Sequence, residues 1–199
     1  MKDVIINKSL NILCNTYNYD NDTFDRVKYG LELIYISITK MIVILCISII
    51  FGLLKETLLV ILFSNGLRTF AYGVHAKKSW HCHISSITVF VLLPFVFRNL
   101  YFSVFQKIFI SIFCFISYIL FAPADTHKRP IINKIHRKKL KLNTLIVCSI
   151  YILIIFVSKY SLLNNMIILS MIAESFAINP IIYKLCGMPY NNYKTYQTK

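Results

Sequence analysis

A histidine and a cysteine seven residues apart, His75 and Cys82, are the residues whose types and spacing favour covalent chemistry in this chain. The thiolate is the attacking form of cysteine, and imidazole is the side chain best able to produce it near neutral pH. The pair lies in a polar segment, 68–83, between two strongly apolar stretches. The pattern predicts a cysteine nucleophile with its own base at a membrane edge, and favours a membrane-embedded cysteine endopeptidase.

The spacing of this pair limits the backbone that can join its members. Residues seven apart on a straight helix are separated by about 10 Å along the axis, whereas a base must come within about 3 Å of the proton that it takes. The segment between His75 and Cys82 is therefore predicted to be broken or re-entrant, and Gly73 with the run 77–79 supplies the permissive break. Ser79 either donates a hydrogen bond in the site or belongs only to the turn.

Three cations accompany the thiol in the sequence. Arg68, Lys77 and Lys78 would all favour the thiolate form of Cys82. The residues leave other roles open for Arg68, which is equally suited to bind a substrate carboxylate, to hold a backbone carbonyl, or to act as a topology charge.

A carboxylate that would orient the histidine is not found beside it, because residues 57–124 contain no Asp or Glu. Glu174 lies inside a late apolar stretch, where an ionisable residue is by default a candidate for function. It is the candidate orienter of His75, and the alternative is a pair with Lys40 or Arg68.

A zinc site is the rival chemistry for the same segment. His75, His81, Cys82 and His83 include suitable ligand types. However, the adjacent His-Cys-His residues point in different directions, and no second cluster completes the site. We therefore expect neither a metal nor a cofactor.

The rest of the chain predicts the helices that must position this segment. Its 199 residues are 57% hydrophobic and 15% charged, with a mean hydropathy of +0.62, whereas soluble domains carry about 25% charged residues. A membrane-spanning helix needs about 20 apolar residues. We predict an all-α polytopic bundle of about six membrane helices, four strong at 31–54, 84–100, 101–122 and 142–158, and two weak at 56–72 and 162–182.

A single integral membrane domain, 1–199, is expected from this pattern. Residues 1–23 form an amphipathic interfacial segment, 24–182 the helical bundle and 183–199 a tail. With six spans, every strongly basic segment falls on the same side. The positive-inside rule then places both termini and the polar segment 68–83 in the cytoplasm of a multi-pass cell-membrane protein.

The hinge 123–141, between the fourth and fifth predicted spans, carries seven Lys or Arg residues against one acidic residue. Such a segment anchors topology beside anionic lipid headgroups. It would also attract an acidic partner from solution. The basic residues expected to support substrate binding there are Lys128, Arg129, Arg137, Lys138 and Lys139.

The chain resembles the accessory gene regulator protein B (AgrB) family of Gram-positive quorum sensing. The resemblance covers most of the chain from about residue 24 onward. It rests on the pattern Arg-x4-Gly-x-His-Ala-x5-Cys, on Phe-Ala-Pro-Ala before a basic hinge, on an Arg-Lys-Lys run and on a late Glu before a Pro. These residues are Arg68, Gly73, His75, Ala76, Cys82, Phe121–Ala124, Arg129, Pro130, 137–139, Glu174 and Pro180.

The resemblance implies a substrate and a mechanism. A member of this family would cleave a short propeptide, AgrD, on its C-terminal side, with Cys82 holding the N-terminal part as an acyl-thioester. An internal cysteine or serine of the peptide would then take the acyl group, which gives a thiolactone or lactone ring and releases an acidic tail. The family spacing selects His75 as the base over His81 or His83. The resemblance also implies a homodimer, and no nucleic-acid partner is expected.

Two other classes of protein stay open on the residues alone. A small transporter or export component for a peptide would use Lys40 and Glu174 along its path, with Cys82 incidental. A structural membrane protein would bind anionic lipids or an acidic partner through the hinge 123–141. Neither class needs an activated thiol, so the reactivity of Cys82 separates them from the peptidase.

Overall fold

The computed structural model describes residues 6, 10, 21–74, 79–126 and 130–194, and its regular elements over these ranges are all helical. This confirms the prediction of an all-α membrane protein. The helices are α1 Asn21–Ile50, α2 Leu54–Ala71, α3 Ser79–Ile87, α4 Leu93–Phe97, α5 Val104–Phe121, α6 Lys134–Val157, α7 Ser161–Ala177 and α8 Pro180–Leu185, and a π-helical turn, Thr88–Leu92, joins α3 to α4.

Three of the described helices are long and apolar enough to cross a membrane: Gly30–Ile50, Val104–Phe121 and Lys134–Val157. They coincide with the predicted spans 31–54, 101–122 and 142–158. Helices also occur at the other three predicted spans. His83–Phe97 and Ser161–Ala177 are apolar but shorter, and α2 carries three charged residues, Lys55, Glu56 and Arg68, in 18 positions. The total of six membrane crossings stays a prediction.

The chain divides into two compact units, Met1–Ile47 and Ser48–Lys199. In the first unit, residues 21–47 belong to α1. The predicted interfacial segment 1–23 lies outside the described residues, apart from 6, 10 and 21–23. The expectation of one domain over the whole chain stays a prediction.

The second unit is a helical bundle built around α7, whose residues 164–171 are all buried. Helix α7 packs mainly against α2, and also against α4, α5 and α6. Helices α2 and α6 come close at Gly66, where the Tyr151 hydroxyl occupies the space that a Cβ would take. The same hydroxyl donates to the Phe63 carbonyl at 3.0 Å. The Tyr118 hydroxyl of α5 donates to the Met171 carbonyl of α7 at 2.8 Å.

Polar residues set where the later helices begin. Ser103 and Gln106 form a reciprocal capping box at the start of α5, which satisfies backbone N–H groups that have no partner inside the helix. The Asn133 side chain accepts from the N–H groups of Ile135 and His136 at the start of α6. Helix α6 therefore begins within the basic hinge, well before its apolar residues, so the hinge is partly helical.

Candidate functional site

Helix α2 ends at Ala71, inside the polar segment 68–83 and before the predicted base. Tyr72 has φ 61° and Gly73 has φ 130°, conformations that glycine adopts readily and tyrosine rarely. A Cβ at Gly73 would lie 3.1 Å from the Ala177 carbonyl oxygen. The chain thus leaves the helix at the glycine where the sequence placed a break, and it passes too close to the end of α7 for a side chain to fit freely.

Backbone hydrogen bonds fix the residues that follow this break. The Gly73 N–H donates to the Ala124 carbonyl at 3.1 Å, and the Ala124 N–H donates to the Ala71 carbonyl at 2.9 Å. The Val74 N–H donates to the Ala177 carbonyl at 2.8 Å. The short segment 72–74 is therefore held between the hinge on one side and the C-terminal end of α7 on the other.

Arg68 and Glu174 form a buried ion pair beside this segment. Arg68 Nη1 lies 3.2 Å from Glu174 Oε2, and its Nη2 donates to the Val74 carbonyl at 2.9 Å. The Glu174 side chain is 4% exposed and that of Arg68 is 34% exposed. Of the roles that the sequence left open, Arg68 holds a backbone carbonyl and is the partner of Glu174. Among the described residues, Glu174 Oε1 is buried and has no hydrogen-bond partner.

The predicted catalytic pair is only partly described. His75 lies outside the described residues, together with Lys77 and Lys78. The backbone of Cys82 lies in the first turn of α3, which Ser79 begins, whereas the side chains of both residues lie outside the described part. The contact between His75 and Cys82 therefore stays a prediction. Over the ranges that are described, no group of three His, Cys, Asp or Glu side chains could hold a metal ion.

The basic hinge presents only part of its charge in the described residues. Lys128 and Arg129 lie outside them. Lys138 and Lys139 are exposed on α6, where they are free to meet a partner. Arg137 is different, because its guanidinium carbon lies 3.4 Å from the ring centroid of Tyr193, a cation–π contact.

An open hollow of about 450 Å³ lies beside Tyr72, at the point where α2 ends. It reaches from the residue that precedes Gly73 to the first turn of α6, and so joins the predicted catalytic segment to the basic hinge. Its lining residues are Tyr72, Pro130, Ile131, Ile132, Asn133 and His136.

The sequence reasoning missed the attachment of the C-terminal segment. Asp125, which is 1% exposed, accepts hydrogen bonds from the backbone N–H groups of Asn192 and Tyr193. The Tyr183 hydroxyl donates to the Ala124 carbonyl at 3.1 Å. Burial raises the pKa of Tyr183 well above its usual range, so this hydroxyl stays protonated. The available signal was that Asp125 is the one acidic residue in an otherwise basic hinge.

Comparisons with known proteins identify relatives of the same family. A family model described as Accessory gene regulator B matches residues 6–178. A putative AgrB-like protein from Listeria innocua is 36% identical over a 201-residue alignment, which covers 99% of this chain and 94% of that protein. The Accessory gene regulator protein B of Staphylococcus epidermidis is 32% identical over 166 residues, 83% of this chain and 84% of that protein. No solved structure matches.

Proposed function

The chain belongs to the accessory gene regulator B family of agr quorum sensing, and we propose that it is a membrane cysteine endopeptidase that matures a signalling peptide. Its substrate is a short AgrD-like propeptide, which it cleaves on the C-terminal side. Cys82 is the nucleophile and His75 is the general base. Membership in this family and the apolar helices support a multi-pass membrane protein, and we place both termini and the catalytic segment on the cytoplasmic side.

The anchoring of Val74, the residue bonded to His75, is the observation that carries this proposal. Its N–H is held by Ala177 at 2.8 Å and its carbonyl by Arg68 at 2.9 Å. Val74, one residue before the proposed base, is therefore a fixed point beside the Arg68–Glu174 pair. A base that must reach a thiol benefits from such a fixed origin, because a small displacement of a catalytic group lowers the reaction rate strongly.

The second oxygen of Glu174 supports a role for this residue. Buried carboxylate oxygens are normally hydrogen-bonded, and Oε1 of Glu174 has no partner among the residues described here. We assign it as the acceptor for an N–H of His75. A carboxylate in this place fixes the imidazole tautomer and stabilises the imidazolium ion, as the third member of a catalytic triad does.

The position of Cys82 on α3 supports its role as nucleophile. It is the fourth residue of the helix Ser79–Ile87, so its backbone lies in the first turn, near the positive end of the helix dipole. Helix N-termini favour the thiolate form of cysteine. We propose that the chain between α2 and α3 lets the base approach the nucleophile, as the spacing of the pair requires.

The reaction proceeds by acyl transfer. His75 takes the thiol proton, and the thiolate of Cys82 attacks the carbonyl of the scissile bond. The C–N bond breaks, the imidazolium gives its proton to the leaving amine, and the acidic tail departs. The N-terminal part remains as a thioester, which keeps enough acyl reactivity for a cysteine or serine of the same peptide to displace Cys82. A thiolactone or lactone ring forms and the thiol is regenerated.

The basic hinge supplies the binding surface for the substrate tail in this proposal. The exposed Lys138 and Lys139 attract its acidic residues, with Arg137, Lys128 and Arg129 as further contacts. The hollow beside Tyr72 lies between this surface and the break in α2, which suits an extended peptide near its cleavage site. The leader of the peptide lies on a surface of anionic lipids, and the enzyme acts as a homodimer.

Thiol reactivity tests the proposal directly. We expect iodoacetamide to alkylate Cys82 faster than Cys186, an exposed thiol outside the candidate membrane helices, and His75→Ala to slow Cys82 alone. Coexpression with the propeptide should give a covalent adduct on Cys82 by intact mass, and Cys82→Ala should abolish cleavage. Cys46→Ala, which removes an exposed thiol of α1, is the matched control and should cleave normally.

Two outcomes would contradict the peptidase. Equal alkylation rates at all exposed thiols would show that Cys82 is not activated. Unchanged processing by a folded Cys82→Ala protein, with loss of peptide export, would favour the transporter instead.

A further inference from the structure

The C-terminal segment 186–194 is tied to the hinge through one buried carboxylate. The N–H of Asn192 donates to Asp125 Oδ1 at 3.1 Å, and the N–H of Tyr193 donates to Oδ2 at 2.8 Å. The Asn192 side chain returns a hydrogen bond to the Asp125 carbonyl at 3.4 Å. Asp125 is 1% exposed and Asn192 is 4% exposed. Charge-assisted bonds of this kind, shielded from water, are stronger than neutral ones.

Two tyrosines extend this attachment along the hinge. The Tyr183 hydroxyl lies 3.1 Å from the Ala124 carbonyl and 3.2 Å from the Asp125 carbonyl. The Tyr190 hydroxyl donates to the Phe121 carbonyl at 3.4 Å. The two rings pack edge to face, with their centroids 5.1 Å apart. The segment that follows α7 therefore donates hydrogen bonds to two carbonyls of the hinge and to one at the end of α5.

The same hinge residues hold the backbone in front of His75. The Ala124 carbonyl accepts from both the Tyr183 hydroxyl and the Gly73 N–H. The Ala124 N–H donates in turn to Ala71. A displacement at Asp125 therefore passes through one peptide unit to Gly73, and from there to the residue that precedes the base.

We propose that Asp125 is a positioning residue for the reaction, and that it fixes the backbone leading into His75 by binding the C-terminal segment. This inference rests on the proposed function. Asp125 does not touch the reacting atoms, and it acts through Ala124 and Gly73. The C-terminal segment is then a working part of the catalytic unit, although the sequence suggested only a cytoplasmic tail.

The test compares Asp125→Asn with Asp125→Glu in the full-length protein in detergent. The amide keeps the size of the side chain but turns an N–H group toward one of the two backbone donors, so one of the two hydrogen bonds to the C-terminal segment is lost, and the other loses its charge. We expect Asp125→Asn to slow alkylation of Cys82 by iodoacetamide at neutral pH by about tenfold. Asp125→Glu, which keeps the carboxylate, should recover part of the rate. Lys184→Ala, an exposed change in α8 just before this segment, is the matched control and should behave as the wild type.

A second background separates positioning from general stability. In a His75→Ala protein there is no base left to position, so Asp125→Asn should have no further effect on alkylation. Hydrogen exchange should also show lost protection at the Gly73 and Val74 amides. An equal effect in both backgrounds, or unchanged protection at these amides, would overturn the inference.

A substitute variant and a separate readout keep the two proposals distinguishable. Where Asp125→Asn does not fold, Tyr183→Phe takes its place, because it removes the hydroxyl that contacts the Ala124 and Asp125 carbonyls. It should also slow the alkylation of Cys82. An alkylation rate equal to that of the wild type would overturn the inference. If wild-type Cys82 is not alkylated faster than Cys186, the proposed function fails on its own. The amide protection at Gly73 still reports separately whether the C-terminal segment holds the hinge.

Discussion

Replacing Glu174 by glutamine tests the central contact of the site. The change keeps the shape of the side chain but removes the charge that faces Arg68 Nη1 at 3.2 Å. It leaves a guanidinium next to a neutral amide in a region where the Glu174 side chain is 4% exposed. The variant therefore alters the ion pair and the proposed acceptor for His75, while the packing of α7 against α2 is retained.

The magnitude follows from burial. Removing one partner of a fully buried ion pair costs about 3–5 kcal/mol. Arg68 is 34% exposed, so water partly solvates the charge that is left, and we expect a loss of about 2 kcal/mol in the free energy of unfolding. We also expect kcat/KM for propeptide cleavage to fall by about 100-fold. Glu174 orients the proposed base, and general-base catalysis by an imidazole contributes at least this much.

A double-mutant cycle provides the assay. Glu174→Gln, Arg68→Gln and the double variant are unfolded in mixed detergent micelles and followed by circular dichroism. Residues in direct contact show a coupling of about 0.5–3 kcal/mol, and we expect about 1–2 kcal/mol here. Glu56→Gln is the control: it makes the same chemical change in the first turn of α2, whereas Arg68 lies in the last turn. It should alter neither stability nor cleavage substantially.

Two results would refute this reasoning. A coupling below about 0.3 kcal/mol would mean that the two side chains act independently. Wild-type propeptide cleavage by a folded Glu174→Gln protein would remove Glu174 from the reaction, even if the ion pair itself were real.

Two glycine substitutions give further predictions. Gly66→Ala would place a Cβ against the Tyr151 hydroxyl, so we expect a loss of about 1–3 kcal/mol in the free energy of unfolding. Gly30→Ala is the control, because a Cβ there meets nothing within 4 Å. Unchanged stability of the Gly66→Ala protein would contradict the close approach of α2 and α6. Gly73→Ala combines a positive φ with a Cβ 3.1 Å from the Ala177 oxygen, so cleavage per folded molecule should fall by about tenfold or more, and undiminished cleavage would mean that this backbone conformation is dispensable.

The membrane helices could be predicted from the sequence because hydropathy is a local property. The predicted span 101–122 differs from α5, Val104–Phe121, by only a few residues at each end. The prediction for α6 was less complete, since the span 142–158 omitted the first eight residues of Lys134–Val157. Those residues are mostly basic, and hydropathy does not register a helix that continues beyond the apolar region.

The partner of Glu174 could not be predicted in the same way. The sequence offered His75, Lys40 and Arg68, and nothing local distinguishes among them. Arg68 and Glu174 are 106 residues apart in the chain. Packing of α2 against α7 brings them together, and that packing depends on small and buried side chains along both helices.

The sequence by itself determined the class of the protein, and it supplied the reactive residues that we propose. Apolar stretches of membrane length, the distribution of basic residues and the spacing of His75 and Cys82 are all readable along the chain. Only the tertiary structure decided how the segment before His75 is held, by Arg68 from α2, by the end of α7, and by a hinge that Asp125 ties to the C-terminal segment. The physical reason is that each of these contacts has a backbone group as at least one partner. Every residue except proline carries the same backbone donor and acceptor, so the sequence does not specify which of them will pair.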